Sequence, residues 1–294
     1  MARAAHCSDC GTGFVSESTR GPIPSRCDSC RAEHQRAIRR KPAAQRTYRV
    51  LSLGAGQQSS ALLALSAAGR LPRLDLVVFA DTQWERRTVY DNVERLEKLA
   101  TTAGIRFERV TVGPLRDAAL GDFVPMPVFG HHDGKPVVMR QACTMQWKIK
   151  PIRRRVRELA GPLHGLRVEM WLGISSEEVY RMKPSPVDYI EHVYPLIDMK
   201  WTRADCVEYL ADQGLTDVPR SSCIACPFKS AGEYRRMAEE APEEWADAVA
   251  FDEALRSRDD PMYVHHSRKP LPLILGAPIE TDLWGNECEG YCGV

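Results

Sequence analysis

The architecture of this chain follows from residues 50–63, Val50-Leu51-Ser52-Leu53-Gly54-Ala55-Gly56-Gln57-Gln58-Ser59-Ser60-Ala61-Leu62-Leu63. A short apolar run, the mark of a buried strand, gives way to a glycine-bearing turn. The turn leads into a helical pattern over residues 59–68. Gly54 and Gly56 let the backbone approach a ligand closely. A helix that starts there offers unpaired N–H groups and the positive end of its dipole, which suits a phosphate or pyrophosphate. Ser59 and Ser60 add hydroxyl donors. The same residues also fit an ordinary strand-to-helix turn with a serine cap.

Outward from this point the pattern repeats. Leu76 to Ala80 reads as a second strand, Phe107 to Val112 as a third and Val168 to Leu172 as a fourth. A helix over residues 90–102 carries Val93, Leu96 and Leu99 on one face. Strands alternating with helices imply an α/β fold, a doubly wound and mostly parallel sheet with helices on both faces. Ligands of such sheets bind beyond the carboxyl ends of the strands, which sets Gly54–Ser60 and Asp81–Glu85 side by side. The region after Lys200 reads as helical, interrupted by the turn at Cys223 and Cys226. Cys206 lies in a helical pattern and reads as a small buried apolar residue. The expected organisation is a small N-terminal segment over 1–35, a basic linker over 36–48, the nucleotide-binding domain over 49–200, and a helical C-terminal region over 201–294.

Composition sets limits. The chain has 294 residues, of which 44% are hydrophobic, enough to form a core, and 27% are charged, as expected for a globular protein. A formal net charge of +1 means that any attraction to phosphate comes from local patches. No apolar run approaches the roughly 18 residues that span a membrane, and the N-terminus lacks the apolar stretch of a secretory signal. The expected location is the cytoplasm. There the ten cysteines are not expected to form structural disulfides.

The cysteines fall into groups. Cys7-Ser8-Asp9-Cys10 and Cys27-Asp28-Ser29-Cys30 form two CxxC pairs. Four thiolates suit one tetrahedral Zn²⁺, and a closed site of this kind is structural. The segment has few large apolar residues, so folding and metal binding should be coupled. His6, Arg36, Arg39, Arg40 and Lys41 make it and its linker basic, which points to a nucleic-acid partner or to a docking module. Cys143 and the pair Cys223-Ile224-Ala225-Cys226 form a second set, able to hold an iron–sulfur cluster or zinc, to act as a redox pair, or to be buried thiols. Lys148, Lys150, Arg153, Arg154, Arg155 and Lys229 make its surroundings basic; the arginine run also fits a solvated helix face. Cys288 and Cys292 stand in a glycine-rich tail and read either as a reactive thiol arm or as inert docked thiols. Glu287 and Glu289 flank Cys288 and would raise its pKa.

Residues 50–60 resemble the PP-loop of ATP pyrophosphatases, and most closely its variant in the phosphoadenosine-phosphosulfate (PAPS) reductase family. Further likeness lies in Phe79-Ala80-Asp81-Thr82-Gln83-Trp84-Glu85, in Gly173-Ile174-Ser175-Ser176-Glu177-Glu178-Val179-Tyr180-Arg181, and in Tyr194-Pro195-Leu196 followed by Trp201-Thr202. The chain departs from the family pattern at Gln58, where an aspartate is usual, and at Gly54 and Ala55. The resemblance implies that Gly54, Gly56, Gln58, Ser59 and Ser60 hold the phosphates of ATP or a related adenosine nucleotide. By the same likeness Asp81, Thr82 and Glu85 line the adenosine side or help to hold Mg²⁺, and Arg181 contacts an anionic group. It also implies a four-iron (4Fe-4S) cluster on Cys143, Cys223 and Cys226. Ala142 stands where some members have a further cysteine, so the fourth position is open or filled by Cys288 or Cys292. Glu287-Cys288 resembles the catalytic tail motif of the reductases. The candidate catalytic residues are thus Cys288, Cys292, Lys150 and Arg181.

The expected function is an ATP-dependent sulfurtransferase that adenylylates a nucleic acid, tRNA or DNA, and inserts sulfur. A cysteine desulfurase or another sulfur donor is its expected protein partner, no membrane is involved, and a homodimer is compatible with it. The alternatives are a sulfonucleotide reductase and a non-catalytic zinc-bearing nucleic-acid binder.

Overall fold

Residues 3–7, 10–16, 27, 29–30, 46–161 and 165–276 are described in the computed structural model; they fall in two units, Met1–Arg46 and Thr47–Val294. The tail with Cys288 and Cys292, and most of the basic linker, lie outside the described residues. In the first unit β1 (Arg3–His6) pairs antiparallel with β2 (Gly13–Ser16).

In the second unit β3 (Arg46–Leu53), β4 (Leu76–Ala80) and β5 (Arg106–Val110) pair in parallel. A hairpin of β6 (Phe129–His132) and β7 (Lys135–Val138) follows. Then β8 (Leu166–Trp171) and β9 (Ile190–Val193) pair in parallel and complete a five-stranded sheet of order β5-β4-β3-β8-β9. The four expected core strands are present; β9 adds an edge strand.

Successive side chains of a strand point to opposite faces, and each face has its own core. Leu51, Leu53, Val77 and Phe79 pack with α1 (Gln57–Ala67) and α2 (Arg87–Thr102). Val50, Leu76, Val78, Val168 and Met170 face the opposite way. They pack with Ile152, Val156 and Ala160. Leu51, Leu62, Leu63, Leu65, Leu76 and Leu96 are fully buried, each contributing about 1.5–3 kcal/mol. The helices after β5 are α3 (Leu115–Ala119), α4 (Lys150–Ala160), α5 (Pro195–Asp198) and α6 (Arg203–Asp212). A capping box starts α6, in which the Thr202 hydroxyl accepts from the Asp205 N–H and the Asp205 carboxylate accepts from the Thr202 N–H. That helix buries Cys206 and Leu210 in the same core as α1.

A third core lies beyond the sheet. It joins Trp84, Met126 and Cys223 to α7 (Ala231–Glu240), α8 (Pro242–Arg256) and α9 (Leu271–Ile274). The Trp84 and Phe251 rings meet edge to face at 4.6 Å. Because β3 has β4 on one side and β8 on the other, strand order reverses at β3. The loops after β3 and β8 flank the crevice that such reversals create.

His265, 2% exposed, is pushed down to about 4 by burial and by the neighbouring His266. The unfolded chain takes up this proton near pH 6.5 and the folded chain only near 4. Stability from this site is therefore complete above the unfolded value and is lost as the pH falls from about 6.5 to about 4. Thermal midpoints measured across that range are expected to fall less steeply in His265→Gln than in the parent.

A phosphate cradle beside a three-thiol pocket

The turn after β3 is built as a cradle. Gly56 is the N-cap of α1, with extended backbone (φ −87°, ψ −177°), and no side chain caps the helix. The serine-cap reading of this turn is thus not realised. Ser59 instead donates to the Gly56 carbonyl at 3.4 Å. Ala55 has φ +60°, a conformation that costs a non-glycine residue about 1–2 kcal/mol. The Asn92 amide of α2 holds it, donating to the Ala55 carbonyl at 2.9 Å and to Ser60 Oγ at 3.2 Å. Local strain kept in place by a buried side chain is a feature of binding sites.

Gln58 is fully buried. Its amide nitrogen donates to Ser175 Oγ at 3.0 Å and to Glu178 Oε2 at 2.6 Å, tying the loop after β3 to that after β8. Glu178 also binds Arg181 at 2.7 Å, so Arg181 belongs to a buried ion pair. An aspartate at position 58 would set a second carboxylate against Glu178; a neutral amide suits this environment. Gln58 Oε1 is buried without a hydrogen-bond partner among the described residues.

The segment Asp81–Glu85 joins the cradle to the cysteines. Asp81 accepts from the Tyr90 hydroxyl at 2.8 Å and from the Gln83 N–H at 2.7 Å. Burial, with the Asp81 carboxylate next, pushes the Tyr90 hydroxyl above its usual range. Neither Asp81 nor Thr82 caps the next helix, which starts at Arg87 with Arg86 as N-cap. Thr82 is fully buried and donates to Glu85 Oε1 at 3.0 Å, with Cys223 Sγ at 3.5 Å. A single antiparallel bridge links Glu85 to Cys223. The Glu85 carboxylate lies 3.3 Å from Lys148 Nζ and 3.7 Å from Cys223 Sγ. Glu85 thus meets the cysteine pocket through both Lys148 and Cys223.

Cys143, Cys223 and Cys226 line one small cavity of about 20 Å³, together with Thr82, Lys148 and Phe228. Cys143 is placed through its backbone N–H, which donates to the Pro125 carbonyl at 2.8 Å. The CxxC turn is held from behind by two buried side chains. The Lys229 ammonium donates to Ser222 Oγ and to the Cys223 carbonyl, and Tyr234 donates to the Cys226 carbonyl at 2.9 Å. Burial pushes Lys229 down and Tyr234 up.

Thr144–Ile149, directly after Cys143, is a π-helix that runs into α4; such segments are frequent at functional sites. Arg181, with Lys183, lines a second cavity of about 320 Å³ beyond the ends of β8 and β9. Lys150 lines a third, open groove of about 570 Å³. Lys148, not Lys150, is therefore the lysine at the thiol pocket. Sequence reading passed over its pairing with Glu85, as these residues meet only in the folded chain.

In the N-terminal unit the thiols of Cys7, Cys10, Cys27 and Cys30 lie within 4.8 Å of one another. The Cys10 and Cys27 sulfurs are 3.8 Å apart, the spacing of two ligands about 2.3 Å from one tetrahedral ion. Hydrogen bonds to Cys10, Cys27 and Cys7 push the Cys30 thiol up, a crowding that a shared cation relieves. Among the described residues no other group of three or more His, Cys, Asp or Glu side chains is placed to hold a single ion. No helix among the described residues is long and apolar enough to cross a membrane.

No curated protein matches the chain. Among solved structures, PAPS reductase from Candida auris in its phosphate complex is 17% identical, aligns over 64% of this chain and 79% of that one, and has a TM-score of 0.38. The U34-tRNA thiolase NcsA from Methanococcus maripaludis with its 4Fe-4S cluster is 13% identical, aligns over 97% and 95%, and has a TM-score of 0.41. The family described as the phosphoadenosine phosphosulfate reductase domain matches residues 49–220. That span holds the cradle, Asp81–Glu85, Cys143 and Arg181, and the chain belongs to the phosphoadenosine phosphosulfate reductase domain family.

Proposed function

We propose that the protein is an ATP-dependent sulfurtransferase acting on a nucleic acid, by tRNA thiolation or DNA phosphorothioation. The observation that carries this reading is that one segment, Asp81–Glu85, stands between the uncapped start of α1 and the three-thiol cavity. A nucleotide's phosphates and a sulfur centre held there would be neighbours. An oxygen of the substrate attacks the α-phosphorus of ATP and pyrophosphate leaves; sulfur then displaces AMP from the activated position.

The residues fit the groups this chemistry needs. Gly54, Gly56, Ser59 and Ser60 would surround the phosphates, and the half-exposed Asp81 carboxylate after β4 would help to hold Mg²⁺. Gln58 holds the cradle in shape through Glu178. Cys143, Cys223 and Cys226, which line one pocket, would hold a 4Fe-4S cluster. When bound, the cluster supplies an iron position for the sulfur to be transferred. Thr82, Glu85 and Lys148 orient the Cys223 side of the pocket. The N-terminal thiols would hold zinc, and the basic character of that region favours a polymeric substrate.

The test is anaerobic purification with iron, sulfide and zinc analysis, followed by AMP and pyrophosphate release from ATP with and without tRNA or DNA. Release that depends on nucleic acid is expected, with one zinc per chain and iron in excess of it. The sulfonucleotide reductase reading is favoured by the family match over residues 49–220; sulfite release from a sulfonucleotide with a thiol reductant, and no response to nucleic acid, would establish it instead.

A further inference from the structure

The π-helix is a wall shared by three cavities. Thr144 and Lys148 face the thiol pocket, Met145 and Ile149 the cavity of Arg181, and Gln146 and Lys150 the open groove. Each pair is four residues apart, so successive stripes of one short segment look into different spaces. The groove therefore lies one helix thickness, about 10 Å, from the thiols.

Resting on the function proposed above, we infer that this groove, formed by Arg109, Lys150, Arg154 and Arg155 beside the end of β5, seats the phosphodiester backbone of the nucleic-acid substrate. Its cations outnumber its anions. Arg106, Arg154 and Arg155 share Glu108 and Glu158 and Arg109 pairs with Glu97, so four guanidinium groups meet three carboxylates. Lys150 adds a charge with no carboxylate partner among the described residues. The shared carboxylates hold the arginines in place while Arg154 stays 83% exposed, free to reach a phosphate. The groove is open, and among the described residues none of its charged lining side chains is buried, which suits a polyanion rather than a single small anion. Val112, 54% exposed in the same groove, offers apolar surface to a sugar or base. A strand whose phosphates lie here can extend a base over the π-helix toward the thiols.

The experiment compares the full chain with the double variant Lys150→Glu/Arg154→Glu. Fluorescence anisotropy is read across a salt series with labelled single-stranded RNA, single-stranded DNA and unmodified tRNA. Both side chains are exposed, so thermal midpoints should match. The variant is expected to bind at least tenfold more weakly. Its slope of log affinity against log salt should be shallower by about 1.5, at about 0.7–0.9 per lost phosphate contact. Loss confined to RNA or to DNA supports the groove and identifies the polymer. Wild-type affinity and slope in the variant would overturn the groove while leaving nucleic-acid-dependent AMP release intact. A parent chain that binds none of the probes overturns the groove and the transferase reading together.

Discussion

Cys223→Ala, purified without oxygen, is expected to lose the iron, sulfide and visible absorbance of the proposed cluster, while keeping its fold. The Cys223 thiol is buried and sits 3.5 Å from Thr82 Oγ1 and 3.7 Å from Glu85 Oε1. The backbone contacts that place the turn, the Glu85–Cys223 bridge and the Ile224 N–H to the Trp84 carbonyl at 2.9 Å, do not involve the sulfur. Nucleic-acid-dependent AMP release should fall by about 100-fold or more, since altering even the partners of a metal ligand costs about 10–100-fold. Cys206→Ala is the control. Its thiol is fully buried in the core beneath α1, so it should cost about 1 kcal/mol of stability and leave the iron content unchanged. Full iron content in Cys223→Ala would remove the thiol pocket from the mechanism.

The second large effect is on stability. Asp252 of α8 is fully buried and its carboxylate accepts from the Val264 N–H at 3.0 Å, the Leu271 N–H at 3.2 Å and Arg256 Nε at 2.9 Å. It thereby fastens the segment after α8, and α9, onto the third core. Asp252→Ala leaves two backbone donors and a guanidinium without their acceptor. Removing one partner of a buried charged network costs about 3–5 kcal/mol, or roughly 10 °C at about 2–4 °C per kcal/mol for a domain of this size. Differential scanning calorimetry reads this directly. An Asp252→Asn shift as large as that of Asp252→Ala would mean that the carboxylate's charge carries the effect, whereas a much smaller one would mean that the hydrogen bonds do.

Much of this was legible in the chain. The apolar runs at residues 50–53 and 76–80 are strands because both of their faces are covered, and such strands are apolar throughout. Cys7, Cys10, Cys27 and Cys30 come together because a CxxC turn already presents two sulfurs to one point. The β6–β7 hairpin was missed although its signal was present. Asp133 and Gly134, with φ +50° and +70°, are the Asp-Gly pair that a tight hairpin turn requires. Its strands, Phe-Gly-His-His and Lys-Pro-Val-Val, lack the alternation that would have flagged them. The four-residue edge strand β9 carries equally little pattern. The π-helix was hidden because its bonding depends on its surroundings. Cys143 is tied to Pro125, Trp147 donates to the Gly113 carbonyl at 3.0 Å, and Pro151 has no N–H to give.

What the amino-acid order determined alone is whatever a short period can encode: strand, turn and helix around the cradle, the two faces of the sheet, and the paired thiols. Only the tertiary structure decided that Gln58 meets Glu178 across 120 residues, that Lys148 rather than Lys150 stands at the thiols, and that Glu85 meets Lys148 and Cys223. The reason is physical. A polar or charged group taken out of water must find its partner wherever the fold brings one within reach, and no local pattern carries the position of a partner so far along the chain.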